Sequence, residues 1–220
     1  MLGIKGMWRA NAGVLTILIL VNLLLSATGP ALWTVIAAAL LIAAMFVSYR
    51  QGMDLGHGAC GVSSTVQSAL DAGDRVYAQL DRAYLAQVWR PSTGFRGLLA
   101  SALLPYAAGG VYIILSLLSA GGGISQTALI LSRTVAWLLS LPYWPFIMHG
   151  HSDFIALTPD IAAMLLLTPF VLPLCQFGGY MQGPKLWQRT EEAMIQGRRR
   201  AKARARVGRR LVGGNKKPEI

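Results

Sequence analysis

Apolar residues gather in five runs, at 14–25, 31–47, 98–119, 127–148 and 161–180, and most polar residues lie between them. The last three runs each approach the ~20 residues a helix needs to cross the ~30 Å hydrocarbon core of a bilayer. Repeated runs of that length exceed what a water-soluble core requires. The pattern predicts an all-α fold: a polytopic helical membrane protein with four to five transmembrane helices, a cytosolic amphipathic helical segment and a basic C-terminal tail.

The first two runs make an N-terminal transmembrane hairpin over 1–49. Lys5 and Arg9 ahead of the first run resemble the start of a signal peptide. No small-x-small cleavage site follows at 26–30, and a second apolar run begins at once, so the hairpin is expected to be retained. Gly29-Pro30 is the break between its helices. Ala37, Ala38, Ala39, Ala43 and Ala44 give the second helix a small-residue face, which lets helices approach closely in lipid.

Residues 50–96 form the one sizeable polar segment before the tail. Ser64 and Gln67 have the spacing of a capping box at a helix start, and Asp74 is placed to cap another helix. In that second helix Val76, Leu80, Tyr84 and Val88 recur every four residues, until Pro91 stops it. With Arg75, Arg82 and Arg90 beside this apolar face, the helix suits either the membrane surface or a groove on the bundle.

Residues 97–182 form the transmembrane bundle. Pro105 should kink the third run. Pro142, Tyr143, Trp144 and Pro145 sit where aromatic side chains mark the headgroup level. Thr158, Pro159 and Asp160 are start signals for a fifth helix: a capping hydroxyl, a proline at the first helical position and an acid in the first turn. Pro169 and Pro173 then break that helix.

Charge refines the picture. The net charge is +11, and only 13% of residues are charged, against 54% apolar. That is about half the usual ~25% charged residues of soluble domains. The tail, 183–220, carries twelve of the twenty Lys and Arg. Cytoplasmic loops are enriched in Lys and Arg. Putting the N-terminus, the 50–96 segment and the tail inside together requires an even number of crossings, whereas five runs are present. The fifth run, with its two prolines, is the expected exception, entering and returning on one side if other helices bury it. Five full crossings with the N-terminus outside are the alternative. Either way the tail is expected in the cytoplasm, and the chain in the plasma membrane.

Candidate chemistry is sparse. Gly56, Gly58 and Gly61 match G-x-G-x-x-G by letter, but a nucleotide fingerprint needs a strand before it and a sheet around it; a glycine-rich exit from a helix is the simpler reading. No cofactor is expected. His149, His151 and Asp153 form a candidate metal trio, since imidazole and carboxylate suit zinc and other transition metals. Asp54, His57 and Cys60 form a second, less complete one. Cys60 and Cys175 are two unpaired thiols rather than a disulfide framework. Arg133 and Gln176 are the candidate functional polar groups inside apolar runs. Such an arginine either faces a bundle interior or snorkels to the interface, and such a glutamine lines a cavity or bonds a neighbouring helix.

In the tail Lys185, Arg189, Arg198, Arg199, Arg200, Lys202, Arg204 and Arg206 predict contact with anionic membrane lipids, worth about 1 kcal/mol per residue near the surface. Nucleic acid is a weaker candidate, since no RNA-binding fold accompanies the arginines. The sequence thus points to a non-enzymatic membrane component, a small transport subunit or a membrane anchor and assembly protein. Its partners would be lipids, other membrane subunits or further copies of itself. The alternatives are a metal-dependent enzyme using the 149–153 cluster and a membrane-shaping protein.

Overall fold

A computed structural model describes residues 4–27, 30–73, 82–119, 124–144 and 157–213, with the side chains of 30, 31, 82 and 203–213 excepted. No strand occurs among the described residues. The helices are α1 (Ile4–Leu25), α2 (Pro30–Asp71), the single turn α3 (Arg82–Leu85), α4 (Pro91–Ser119), α5 (Gln126–Ser140), α6 (Pro159–Leu167) and α7 (Val171–Gly213). A 3-10 turn, Leu141–Tyr143, follows α5, and another, Thr168–Phe170, joins α6 to α7.

Four helical stretches are long and apolar enough to cross a membrane: α1, α2, α4 and the combined α6–α7. Their outer surfaces carry large apolar side chains, with Leu24 75%, Ile42 68% and Leu103 65% exposed.

The fourth run therefore forms the short element, and the fifth forms a long one. Pro142 has no N–H for the carbonyl of Leu138, so α5 closes at Ser140, and Leu141 N–H takes that carbonyl in a tighter turn. At 15 residues, α5 is ~22 Å long. Pro169 and Pro173 do less damage because both fall where one helix ends and the next begins. The first turn of a helix has no internal use for its N–H groups. The 3-10 turn holds Pro169 and the first turn of α7 holds Pro173, and the chain keeps its heading.

That heading is read from α4, along which the combined helix runs antiparallel. Leu165 lies at Gly109, the Phe170 ring is 5.6 Å from Tyr106, and Tyr180 and Phe177 crowd Gly94. Antiparallel packing also holds α1 to α2, through Leu18 beside Ala44 and an Asn22–Trp33 hydrogen bond.

The largest departure from expectation is α2. It continues past residue 49 as one helix of 42 residues, ~63 Å. Ser64 is thus mid-helix and caps nothing; its carbonyl accepts the Ser68 hydroxyl within that helix. The 56–61 glycines lie inside α2, and Cys60 is buried there instead of in a loop. What supports the extension is α7, which packs along it in parallel. Residues pair in rising order on both chains: Gly52 with Gln176, Gly56 with Tyr180 and Gly183, Gly61 with Trp187. The amphipathic stretch is helical only over Arg82–Leu85 among its described residues; Asp74, Val76 and Leu80 lie outside them. Its Trp89 packs on the bundle, stacking 6.2 Å from Tyr180 and donating its backbone N–H to the Ser63 hydroxyl at 2.9 Å.

Candidate functional site

Two features occupy the interior where α1, α2, α4 and α7 meet. The first is a seam of small residues. Gly52 and Gly56 on α2, and Gly179 and Gly183 on α7, are each spaced by four, so each pair lines one helix face. The faces meet with backbone against backbone. A Cβ at Gly52 would collide with the carbonyl of Gln176, one at Gly56 with the carbonyl of Tyr180, and one at Gly179 with the carbonyl of Tyr49. The Tyr180 carbonyl is the one Pro184 leaves without its helical N–H, and the Gly56 backbone fills the space beside it. Small-x-x-x-small contacts of this kind are how helices associate in lipid, where apolar side chains gain nothing by leaving the solvent.

The second feature is an amide relay. Gln176 is fully buried, and Asn11 is 5% exposed. The Gln176 Nε2 donates to the Met7 carbonyl at 3.2 Å, and its Oε1 accepts from Asn11 Nδ2 at 3.0 Å. The backbone carbonyl fixes both amides: it can only accept, so Gln176 must point its nitrogen there and its oxygen at Asn11. Gln176 is therefore an interhelical hydrogen-bonding group. At the far end of α1, Asn22 is also fully buried, accepting from the Trp33 indole at 3.2 Å and donating to the Leu18 carbonyl at 2.9 Å.

Beside the relay lies a partly open cavity of about 60 Å³ between α1, α4, the 141–143 turn and the start of α7. Its wall is largely apolar, with Asn11, Ser101 and Tyr143 as polar members.

Arg133 is remote from this site. It is half-buried on α5, its guanidinium 5.8 Å from the Trp137 ring centre, between two clefts that reach Trp144 on one side and Ser116 on the other. The structure does not bring Arg133 and Gln176 together.

Of the tail residues, Lys185, Arg189, Arg198, Arg199, Arg200 and Lys202 are exposed along α7. Arg204 and Arg206 continue the helix, with side chains outside the described residues. His149, His151 and Asp153 also lie outside them. Among the described residues no group of three His, Cys, Asp or Glu side chains is arranged to hold a metal. His57 instead packs on Trp187 at 5.3 Å between ring centres and reaches the Thr190 hydroxyl at 3.3 Å.

The sequence reading names Gln176 but not Asn11, its partner 165 residues away. Nothing local signals such a pair. The seam does have a signal, because G-x-x-x-G within an apolar context marks a helix-association face, and the nucleotide pattern, which shares Gly56 with it, obscures it. Comparisons with protein-family models, with curated proteins and with solved structures found no match to the chain.

Proposed function

We propose that this protein is a non-enzymatic plasma-membrane component, an anchor or assembly protein that crosses the bilayer four times and holds a basic helix at the cytoplasmic surface. The observation that carries the reading is the parallel packing of α2 on α7. Parallel neighbours leave the bilayer on the same side, so the α2 extension and the tail share a compartment. Antiparallel α1 and α4 put Arg9, Arg90 and Arg96 at that end too. The arrangement supports an even number of crossings with the basic segments inside, as the charge rule prefers.

Under this reading α5 enters from the opposite face and does not cross. Its start and Leu157 lie together beside Ser119, while Tyr143 reaches the interior cavity near Pro105. Large exposed leucines, isoleucines and phenylalanines around the bundle are then lipid-facing; in water, apolar patches that extensive drive association. Anionic lipid is the partner proposed for the exposed arginines of α7.

Cysteines introduced one at a time test the topology, in a background lacking Cys60 and Cys175. Ser68→Cys and Gly197→Cys should react with an impermeant thiol reagent only from the cytoplasmic side, and Ser26→Cys only from the other. Labelling of positions 68 and 197 from opposite sides would overturn the proposal.

A small transport subunit is the second reading. The proline-broken junction of α6 and α7 beside an interior cavity favours it, because broken helices supply backbone groups to permeation sites.

A further inference from the structure

Arg133 stands between two clefts, of about 390 and 340 Å³, and lines both. Leu23, in the last turn of α1, belongs to the first cleft, and Ser119, the last residue of α4, to the second. Both clefts therefore lie at the bundle end where α1 and α4 finish, away from the arginines of α7. The Arg133 guanidinium is 5.8 Å from the Trp137 ring centre, and among the described residues nothing supplies an oxygen for its N–H donors. A charge among apolar side chains is costly without a counter-charge. A bound anion offsets that cost.

The walls narrow which anion. Leu23, Leu138 and Leu141 line the first cleft, and Leu117, Leu129 and Leu157 the second. A free inorganic anion would leave these leucines uncovered. Leu23, Leu117 and Leu138 are also exposed on the outer surface of the bundle, so both clefts border the lipid-facing side. Trp137 and Trp144, in the first cleft, suit the headgroup level. Ser116 is half-buried in the second cleft, and its hydroxyl has no partner among the described residues. The Thr134 and Ser119 hydroxyls are already committed to the carbonyls of Ile130 and Ser116. None of the described lining residues is acidic, so an ammonium-bearing headgroup gains no counter-charge there. A guanidinium fork suits phosphate oxygens. We propose that Arg133, with the Ser116 hydroxyl as second donor, holds the phosphate of an anionic phospholipid whose acyl chains run along the two clefts. The site is separate from the lipid contact of α7 and stands whichever compartment this end faces.

Thermal unfolding of the purified full-length chain in detergent tests it, in a background where Arg198, Arg199 and Arg200 are replaced by Gln to remove their contribution. Phosphatidylglycerol, phosphatidylcholine with the same acyl chains, and inorganic phosphate are each titrated. A saturable rise in Tm is expected with phosphatidylglycerol, at concentrations roughly tenfold below those phosphatidylcholine needs, and none with inorganic phosphate. Arg133→Gln should raise the half-saturating phosphatidylglycerol concentration about tenfold. Ser116→Phe fills the second cleft and keeps the charge; it should weaken binding too, and it carries the test if Arg133→Gln fails to fold. Equal responses to the two lipids would mean unselective apolar binding. A matching response to inorganic phosphate would mean a free-anion site. Half-saturation unchanged in a folded Arg133→Gln, or in Ser116→Phe, would place the lipid elsewhere. Each of these results overturns the proposal.

Discussion

Gly178 and Gly179 are adjacent on α7, yet alanine at the two positions should act in opposite directions. A Cβ at Gly178 meets nothing within 4 Å. Alanine there removes the helix-interior penalty of glycine, worth ~0.8–1.0 kcal/mol. A Cβ at Gly179 would overlap the Tyr49 carbonyl and stand 2.9 Å from Met53 N, where ordinary contact begins at 3.4 Å. Tyr49 and Met53 present backbone here, and backbone has no rotamer to yield. The two helices must part by more than half an ångström, and the seam around Gly52, Gly56 and Gly183 opens with them. Overpacking a tight core costs about 1–3 kcal/mol, and a rigid backbone contact belongs at the upper end. Expected, then, is a loss of ~3 kcal/mol for Gly179→Ala and a gain approaching 1 kcal/mol for Gly178→Ala. Equilibrium unfolding in mixed micelles, followed by tryptophan fluorescence, measures both against wild type. Equal effects of the two substitutions, or a stabilised Gly179→Ala, would refute close parallel packing of α2 on α7 and with it the argument about sidedness.

Two further outcomes follow from the same contacts. Gln176→Leu should lose ~1–2 kcal/mol, because Asn11 Nδ2 is left buried without its partner; adding Asn11→Leu should cost less than it does in the wild type, a non-additivity that a double-mutant cycle reads directly. Replacing Arg198, Arg199 and Arg200 together by Gln removes three exposed charges, ~3 kcal/mol of attraction to anionic lipid and about a hundredfold in affinity. Flotation of the α7 segment 185–213 with vesicles containing phosphatidylserine, at low and high salt, measures this, and affinity unchanged by salt or by the substitutions would exclude an electrostatic role.

Where lipid-length apolar runs were sufficient evidence, the sequence was easily read: 31–47 lies in α2, and 98–119 is nearly all of α4. What escaped depended on tertiary partners. The polar half of α2 looks like a loop because nothing in residues 50–71 announces the helix that flanks it. Its continuity rests on α7, more than a hundred residues later. The prolines misled for a related reason. Pro169 and Pro173 look more disruptive than Pro142, but their cost depends on whether a neighbouring turn can take up the missing N–H bonds, and that is a property of position within the helix junction. Gln176 was visible as a polar residue among apolar ones. Its use was not, since its partners, Asn11 and the Met7 carbonyl, lie 165 and 169 residues away and share no spacing rule with it.

The junction at Thr168–Phe170 also governs how the molecule bears load. Beyond it α7 is a stiff rod of 43 residues, and Pro184, its weakest link, is braced by α2 through Gly56. A force on the exposed arginine end therefore meets no joint until it arrives at Thr168–Phe170. Bending of the helix should therefore concentrate there, at Pro169 on the cavity wall.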